Sequence, residues 1–306
     1  MDRRTLLTTA AAAALPLPAM AATTPMLFGA QTQCSQGGNP NVYGQAKAAG
    51  LPIGFVRDEM FWKNVERSKG VLDSSEYDPY FQALRAQGYK LLLELFNTNP
   101  LYDGGKFPTS FAAQAAFARY AAYLVRRYGD GLVAVEVWNE PNGNWGYGYS
   151  YKDLAPHYAR LAKKVYKAVK AVRTDIPVLV SASVKFQFSW QQLLVDNGLL
   201  PWCNGWSIHP YVDMRTTDLD ALFARLRGII GSKPIWCTEY GTNRRNECCG
   251  TPEQYVGPMI AAFRRNNVRA CSWFLLRDHE PDLATQGLLT VDGALTTQGA
   301  LLKAAA

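Results

Sequence analysis

Histidine is nearly absent. The chain of 306 residues has three, His157, His209 and His279, which excludes a histidine-rich metal centre. Its six cysteines form no C-x-x-C and no zinc-like spacing, and no metal or other cofactor is expected. Beyond the N-terminus no apolar run reaches the ~18 residues a membrane span needs. No glycine-rich phosphate loop follows the first strand-like run, which argues against a doubly wound nucleotide-binding sheet. No Pro/Ser-rich linker divides the chain, and no helix or strand collects a continuous basic stripe. The net charge of +7 therefore points to no nucleic-acid partner.

What is present first is an N-terminal address. Arg3-Arg4, an Ala/Leu-rich stretch to Leu15 and the small-x-small site Ala19-Met20-Ala21 have the order of an export signal. The paired arginines fit the twin-arginine variety, so residues 1–21 are expected to be removed and the protein to be periplasmic or secreted. Export permits disulfides among Cys34, Cys203, Cys237, Cys248, Cys249 and Cys271, but spacing does not assign the pairs.

Over residues 22–306, short apolar runs alternate with helical periodicity. The runs are Leu27–Ala30, Ile53–Arg57, Lys90–Phe96, Leu132–Trp138, Pro177–Ala182, Gly205–His209, Pro234–Glu239 and Ala270–Leu275. Residues 111–128 repeat apolar positions at three- and four-residue steps, and Thr251-Pro252-Glu253-Gln254 has the pattern of a capped helix start. Gly50, Gly88 and Gly231 each close a helical stretch just before a strand. Eight strands, each followed by a helix-length segment, predict an α/β fold consisting of one (β/α)8 TIM barrel, expected to be a monomer. In such a barrel the chemistry sits at the C-terminal strand ends.

Two glutamates stand at those ends. Strand four runs out through Val135-Glu136-Val137-Trp138-Asn139-Glu140-Pro141, and strand seven through Trp236-Cys237-Thr238-Glu239-Tyr240. Glycoside hydrolysis needs such a pair, one carboxylic acid to protonate the departing oxygen and one carboxylate to attack the anomeric carbon or activate water. Glu136 shares the inward face with Glu140 and reads as a buried structural acid paired with a cation such as Arg57.

The Trp-Asn-Glu-Pro segment at 138–141 resembles the acid/base motif of glycoside hydrolase clan A. Val56-Arg57-Asp58-Glu59-Met60-Phe61-Trp62, with Val65-Glu66 and Gly70, is similar to the second-strand region of the family 39 type, which includes bacterial exopolysaccharide-cleaving hydrolases; family 5 comes next. Family 39 xylosidases carry an extra β-sandwich for which this chain has no length, which weakens a xylosidase assignment. The resemblance implies a retaining mechanism with Glu140 as general acid/base and Glu239 as nucleophile. It also implies Asn139 as donor to the sugar 2-hydroxyl and Arg57 as the cation beside the nucleophile. Tyr211, or His209, would contact the nucleophile, Trp273 would form the floor of the sugar subsite, and Asn97 would stand where some families have histidine.

Two further expectations concern the substrate, a polysaccharide or oligosaccharide from an exopolysaccharide or cell wall, cleaved internally. The loop from Trp145 through Tyr147, Tyr149 and Tyr151 offers rings for stacking on sugars or for packing on the barrel. Arg215, Arg244, Arg245 and Arg277 lie in loops on the catalytic face. They would either hold an anionic glycan or be neutralised by Asp213, Glu247, Asp278, Glu280 and Asp282 in the same loops. The alternatives are a catalytically inactive periplasmic glycan-binding barrel, against which the intact glutamate pair argues, and a Schiff-base aldolase, for which Lys185 is a poorly supported candidate.

Overall fold

The computed structural model describes residues 25–143, 148–244, 249–278 and 285–306. The expected export segment therefore lies outside the described residues.

Each apolar run becomes a strand because both of its faces are covered, one by the barrel interior and one by helices. In chain order the main elements are β1 (Leu27–Gln31), α1 (Asn41–Ala48), β2 (Phe55–Glu59), α2 (Trp62–Val65), α3 (Asp78–Ala86), β3 (Lys90–Leu95), α4 (Phe111–Tyr128), β4 (Leu132–Val137) and α5 (Tyr151–Val172). There follow β5 (Val178–Val184), α6 (Phe188–Asp196), β6 (Gly205–His209), α7 (Leu219–Ile230), β7 (Ile235–Tyr240), α8 (Pro252–Arg265), β8 (Val268–Trp273) and α9 (Thr297–Ala305). The strands pair in parallel in sequence order, and β1 pairs with β8 to close the barrel. Closure excludes the open doubly wound sheet.

Local signals hold where side chains act on their own backbone. Ser110 caps α4 through the Ala113 N–H, and Thr251 and Gln254 form the reciprocal capping box of α8. Gly50, Gly88 and Gly231 take positive φ at the helix-to-strand turns. Strand boundaries shift by one or two residues, β2 to Phe55–Glu59 and β8 to Val268–Trp273 among them. β5 continues to Val184 across a register shift between Val180 and Ser183, where Ser181 and Ala182 take positive φ. A bulge of this kind carries a strand past its regular pairing.

Strand alternation sorts the barrel interior into layers. The lowest is an apolar plug of Phe55, Leu92, Ala134, Leu179, Trp236 and Ala270. Glycine makes room for it: a Cβ on Gly29 would lie 2.3 Å from the Phe55 ring, and one on Gly205 would lie 2.9 Å from Trp236. Two residues further along the same strands come Arg57, Glu94, Glu136 and Thr238, all buried. Above this polar layer the barrel opens.

Among the described residues, no helix is long and apolar enough to cross a membrane. Cys34, Cys203, Cys237 and Cys271 are free and buried, while Cys249 is disulfide-bonded.

Candidate active site

Arg57 organises the polar layer. Its guanidinium is fully buried, and each of its five N–H groups has an acceptor. Nε donates to Glu136 Oε2 at 2.7 Å. Nη1 donates to Gln31 Oε1 at 2.6 Å and to Glu239 Oε1 at 2.7 Å. Nη2 reaches Glu94 Oε2 at 2.7 Å and Asn139 Oδ1 at 3.0 Å. Glu136 completes its shell with the Thr238 hydroxyl at 2.7 Å, so it is the buried acid paired with Arg57 that alternation implied.

Three carboxylates on one guanidinium leave the layer short of positive charge, and burial decides which carboxyl yields. Burial opposes ionisation of Glu136, but Arg57, His209, Ser207 and Thr238 outweigh it and hold its carboxyl below the usual range. Glu94 is pushed up to about 8, chiefly by burial, with the Glu136 and Glu239 charges adding to it against Arg57. The folded chain therefore holds the Glu94 proton more tightly than the unfolded chain does. That contribution to stability is fully present below about pH 4.5 and is lost as the pH rises toward about 8. Glu94→Gln is expected to flatten this alkaline decline, whose slope reaches at most about 1.4 kcal/mol per pH unit. Melting curves of the two proteins across that window check it.

The tip of β4 turns sharply. Trp138 and Glu140 take positive φ, 70° and 43°, a costly conformation for residues with side chains. Neighbouring strands hold it, with the Trp138 N–H on Leu95 O and the Glu140 N–H on Ala182 O, both at 2.9 Å. The turn buries the Trp138 ring among Phe96, Phe107 and Phe117 and leaves Asn139 and Glu140 on the wall of the cleft. Asn139 Oδ1 is taken by Arg57, so its amide N–H groups remain as donors.

Across the mouth, Glu239 Oε2 accepts from the Tyr211 hydroxyl at 3.0 Å, and His209 Nδ1 lies 2.8 Å from Glu140 Oε1 and 3.7 Å from Glu239 Oε2. One oxygen of each glutamate and a ring nitrogen of His209 all lie within 4.8 Å of one another. Burial alone would lower His209, but the Glu239 charge and the contact with Glu140 raise it above its ordinary value. Tyr211 is driven well up by burial and by Glu239, so it remains a hydroxyl donor. Among the described residues these three side chains are also the one cluster able to close on a metal ion. Arg57 and Tyr211 already satisfy the Glu239 oxygens, and the adjacent guanidinium disfavours a cation.

The structure thus brings Arg57, Asn139, Glu140, His209, Tyr211 and Glu239 together around a cleft of about 830 Å3. Asn97 lies on its wall at φ 77°, with its side-chain oxygen turned back onto the Thr98 N–H at 2.8 Å. Trp145, Tyr147 and Arg245 fall outside the described residues.

One expectation needs correction. Trp273 is not the floor of the cleft: it is fully buried behind β8, with its ring against Tyr240 and Tyr255 and its Nε1 on Gln286 O at 2.7 Å. Ala270 faces inward, so alternation sends Ser272 and Phe274 inward and Trp273 outward, and Phe274 lines the cleft. Of the two alternatives for the loop arginines, the described ones show neutralisation or a neutral partner. Arg215 pairs with Asp213 at 2.6 Å, Arg244 with Asp278, and Arg277 donates to Gln45. Sequence reasoning also missed Glu94, Gln31 and Glu59; Glu94 had a signal, lying two residues beyond Leu92 and opposite Glu136 in register.

The model of the family described as cellulase (glycosyl hydrolase family 5) matches residues 52–278. Among solved structures, a family 39 glycoside hydrolase from the gut symbiont Bacteroides cellulosilyticus WH2 is similar, with a TM-score of 0.74 at 21% identity, over 92% of this chain and 63% of that one. An exo-β-1,4-mannosidase from Opitutaceae bacterium strain TAV5 gives 0.70 at 15% identity, over 91% and 58%. A family 5 subfamily 18 protein from Streptomyces cattleya, solved with GlcNAc, gives 0.74 at 14% identity, over 93% and 80%. The chain spans less than two thirds of the length of the first two, and at these identities the likeness is one of fold. No curated protein matches by sequence. Family 39, the first expectation, is thus among the structural neighbours, while the family model is that of family 5. A family match across most of the barrel, strands two to eight included, means that this chain belongs to the cellulase family of glycosyl hydrolases, family 5, within clan A.

Proposed function

We propose that the protein is a retaining glycosidase acting on a polysaccharide by double displacement, with Glu239 as nucleophile and Glu140 as general acid/base. The observation that carries this reading is that one oxygen of Glu140 and one of Glu239 lie within 4.8 Å of each other and of a His209 ring nitrogen. Carboxyl groups about 5–5.5 Å apart leave no room for an attacking water, whereas an inverting pair stands ~6.5–9.5 Å apart.

The contacts divide the work. Arg57 and Tyr211 each hold one Glu239 oxygen, which fixes the carboxylate for attack on the anomeric carbon. His209 holds Glu140 Oε1, leaving Oε2 to carry the proton given to the departing oxygen and later to take one from water. The free amide N–H of Asn139 donates to the sugar 2-hydroxyl, a contact that strengthens in the transition state. A cleft near the upper end of the ~300–1,000 Å3 range of small-molecule sites has room for more than one sugar ring and suits internal cleavage of a chain. The N-terminal signal supports action in the periplasm or outside the cell.

The direct test is NMR of the first-formed product from a polysaccharide that the enzyme cleaves. Retention of the anomeric configuration is expected, and the inverted anomer as first product would refute double displacement.

A further inference from the structure

We propose that Glu59 is a specificity-determining residue of this cleft, accepting hydrogen bonds from two adjacent hydroxyl groups of the sugar ring bound on its β1–β3 side. The inference rests on the glycosidase reading. Glu59 ends β2, two residues beyond Arg57 and on the same inward face. It is 5% exposed and lines the cleft, so the little surface it keeps is offered to whatever fills that space.

Both oxygens of its carboxyl group are held in place. Gln36 Nε2 donates to Oε1, and Gln31 Nε2 donates to Oε2 at 3.4 Å. Gln31 is itself oriented, because its side-chain oxygen accepts from Arg57 Nη1, the nitrogen that also donates to Glu239. A continuous run of hydrogen bonds thus ties Glu59 through Gln31 and Arg57 to Glu239. A ring seated for attack at its anomeric carbon then meets Glu59 at a fixed offset.

Each carboxyl oxygen has two lone pairs, and the glutamine amides take one on each. Among the described residues no lysine, arginine or histidine lies within ion-pair distance of Glu59, and the five N–H groups of Arg57 are already committed. Burial and the neighbouring Asp58 and Glu94 push the Glu59 carboxyl well up against Arg57 and Gln36, so donors brought by a bound ring would favour the ionised, accepting form. A forked acceptor matches the spacing of neighbouring ring hydroxyls, which supply those donors without a charge. Phe61 and Phe96, with ring centroids 6.1 Å apart, line the same side and offer apolar surface to the face of the ring.

The test is a cycle of enzyme and substrate changes. Its probe is the shortest oligosaccharide that wild-type enzyme cleaves among β-1,4-linked gluco-, manno- and xylo-oligosaccharides, together with forms lacking one hydroxyl on the glycone ring. Wild type is expected to lose about 100-fold in kcat/KM at two adjacent positions other than the 2-hydroxyl. Glu59→Gln should lose about 100-fold on the parent substrate and little more when either hydroxyl is removed, while keeping the 2-deoxy penalty. Gln36→Leu, at an exposed position ending the short 3-10 turn Cys34–Gln36, should soften the same two penalties and serves if Glu59→Gln does not fold. Undiminished penalties at both positions in these variants overturn the inference. Cleavage by wild type that is lost in Glu239→Gln, beside an unaffected Glu59→Gln, overturns this inference alone. Failure of wild type to cleave any glycan overturns the glycosidase reading as well.

Discussion

Glu239→Gln is expected to lower kcat by at least about four orders of magnitude while leaving the fold intact. The amide keeps an oxygen for Arg57 Nη1, and Arg57 keeps Glu94 and Glu136 as partners, so no buried charge is stranded. What disappears is the nucleophile. Glu140→Gln should cost roughly 10²–10⁴-fold on substrates with poor leaving groups, because the departing oxygen then receives no proton. Glu140→Ala should be partly rescued by azide on an aryl glycoside with a good leaving group, where departure needs no acid and the small anion replaces activated water. Steady-state kinetics beside melting curves separate chemistry from folding. Activity near wild type in either glutamine variant would contradict both assignments.

Arg57→Met should have the largest effect on stability. It leaves Glu94, Glu136 and Glu239 in one buried layer without their cation, and removing one partner of a buried ion pair costs about 3–5 kcal/mol. In a domain of this size that corresponds to a fall in Tm of roughly 5–8 °C. The sign of its pH dependence follows from the carboxyls. Arg57 is a leading force holding Glu136 below its usual range, so without it the folded state favours protonated carboxyls. The deficit should therefore shrink as the pH falls and grow as it rises. A deficit that does not change with pH would mean that the loss is one of packing alone.

Most of the barrel was legible because its strands are buried on both faces and read as uninterrupted apolar runs, while capping residues mark helix starts. The glutamate pair was legible because both acids stand at strand tips, and Glu136 because two-residue alternation ties it to Glu140. The same alternation, counted from Ala270, places Phe274 rather than Trp273 in the cleft; the tryptophan came from the resemblance, which does not fix its face. Glu94 was hidden for a different reason. Alternation from Leu92 points it inward, but its partner Arg57 lies on another strand, so the ion pair that buries it is not written in Lys90–Leu95. Asp213 two residues before Arg215 is a pairing that spacing suggests, whereas Arg244 finds Asp278 only through the fold.

The central claim is that Glu239 forms the covalent bond to the sugar. Its most direct test is mass spectrometry of the protein after incubation with the 2-deoxy-2-fluoro glycosyl fluoride of a sugar it hydrolyses, a reagent that slows breakdown of the glycosyl-enzyme. The account predicts one added glycosyl group, on the peptide containing Glu239, and none on Glu239→Gln; a label on any other residue, or turnover with no labelled protein, would contradict it.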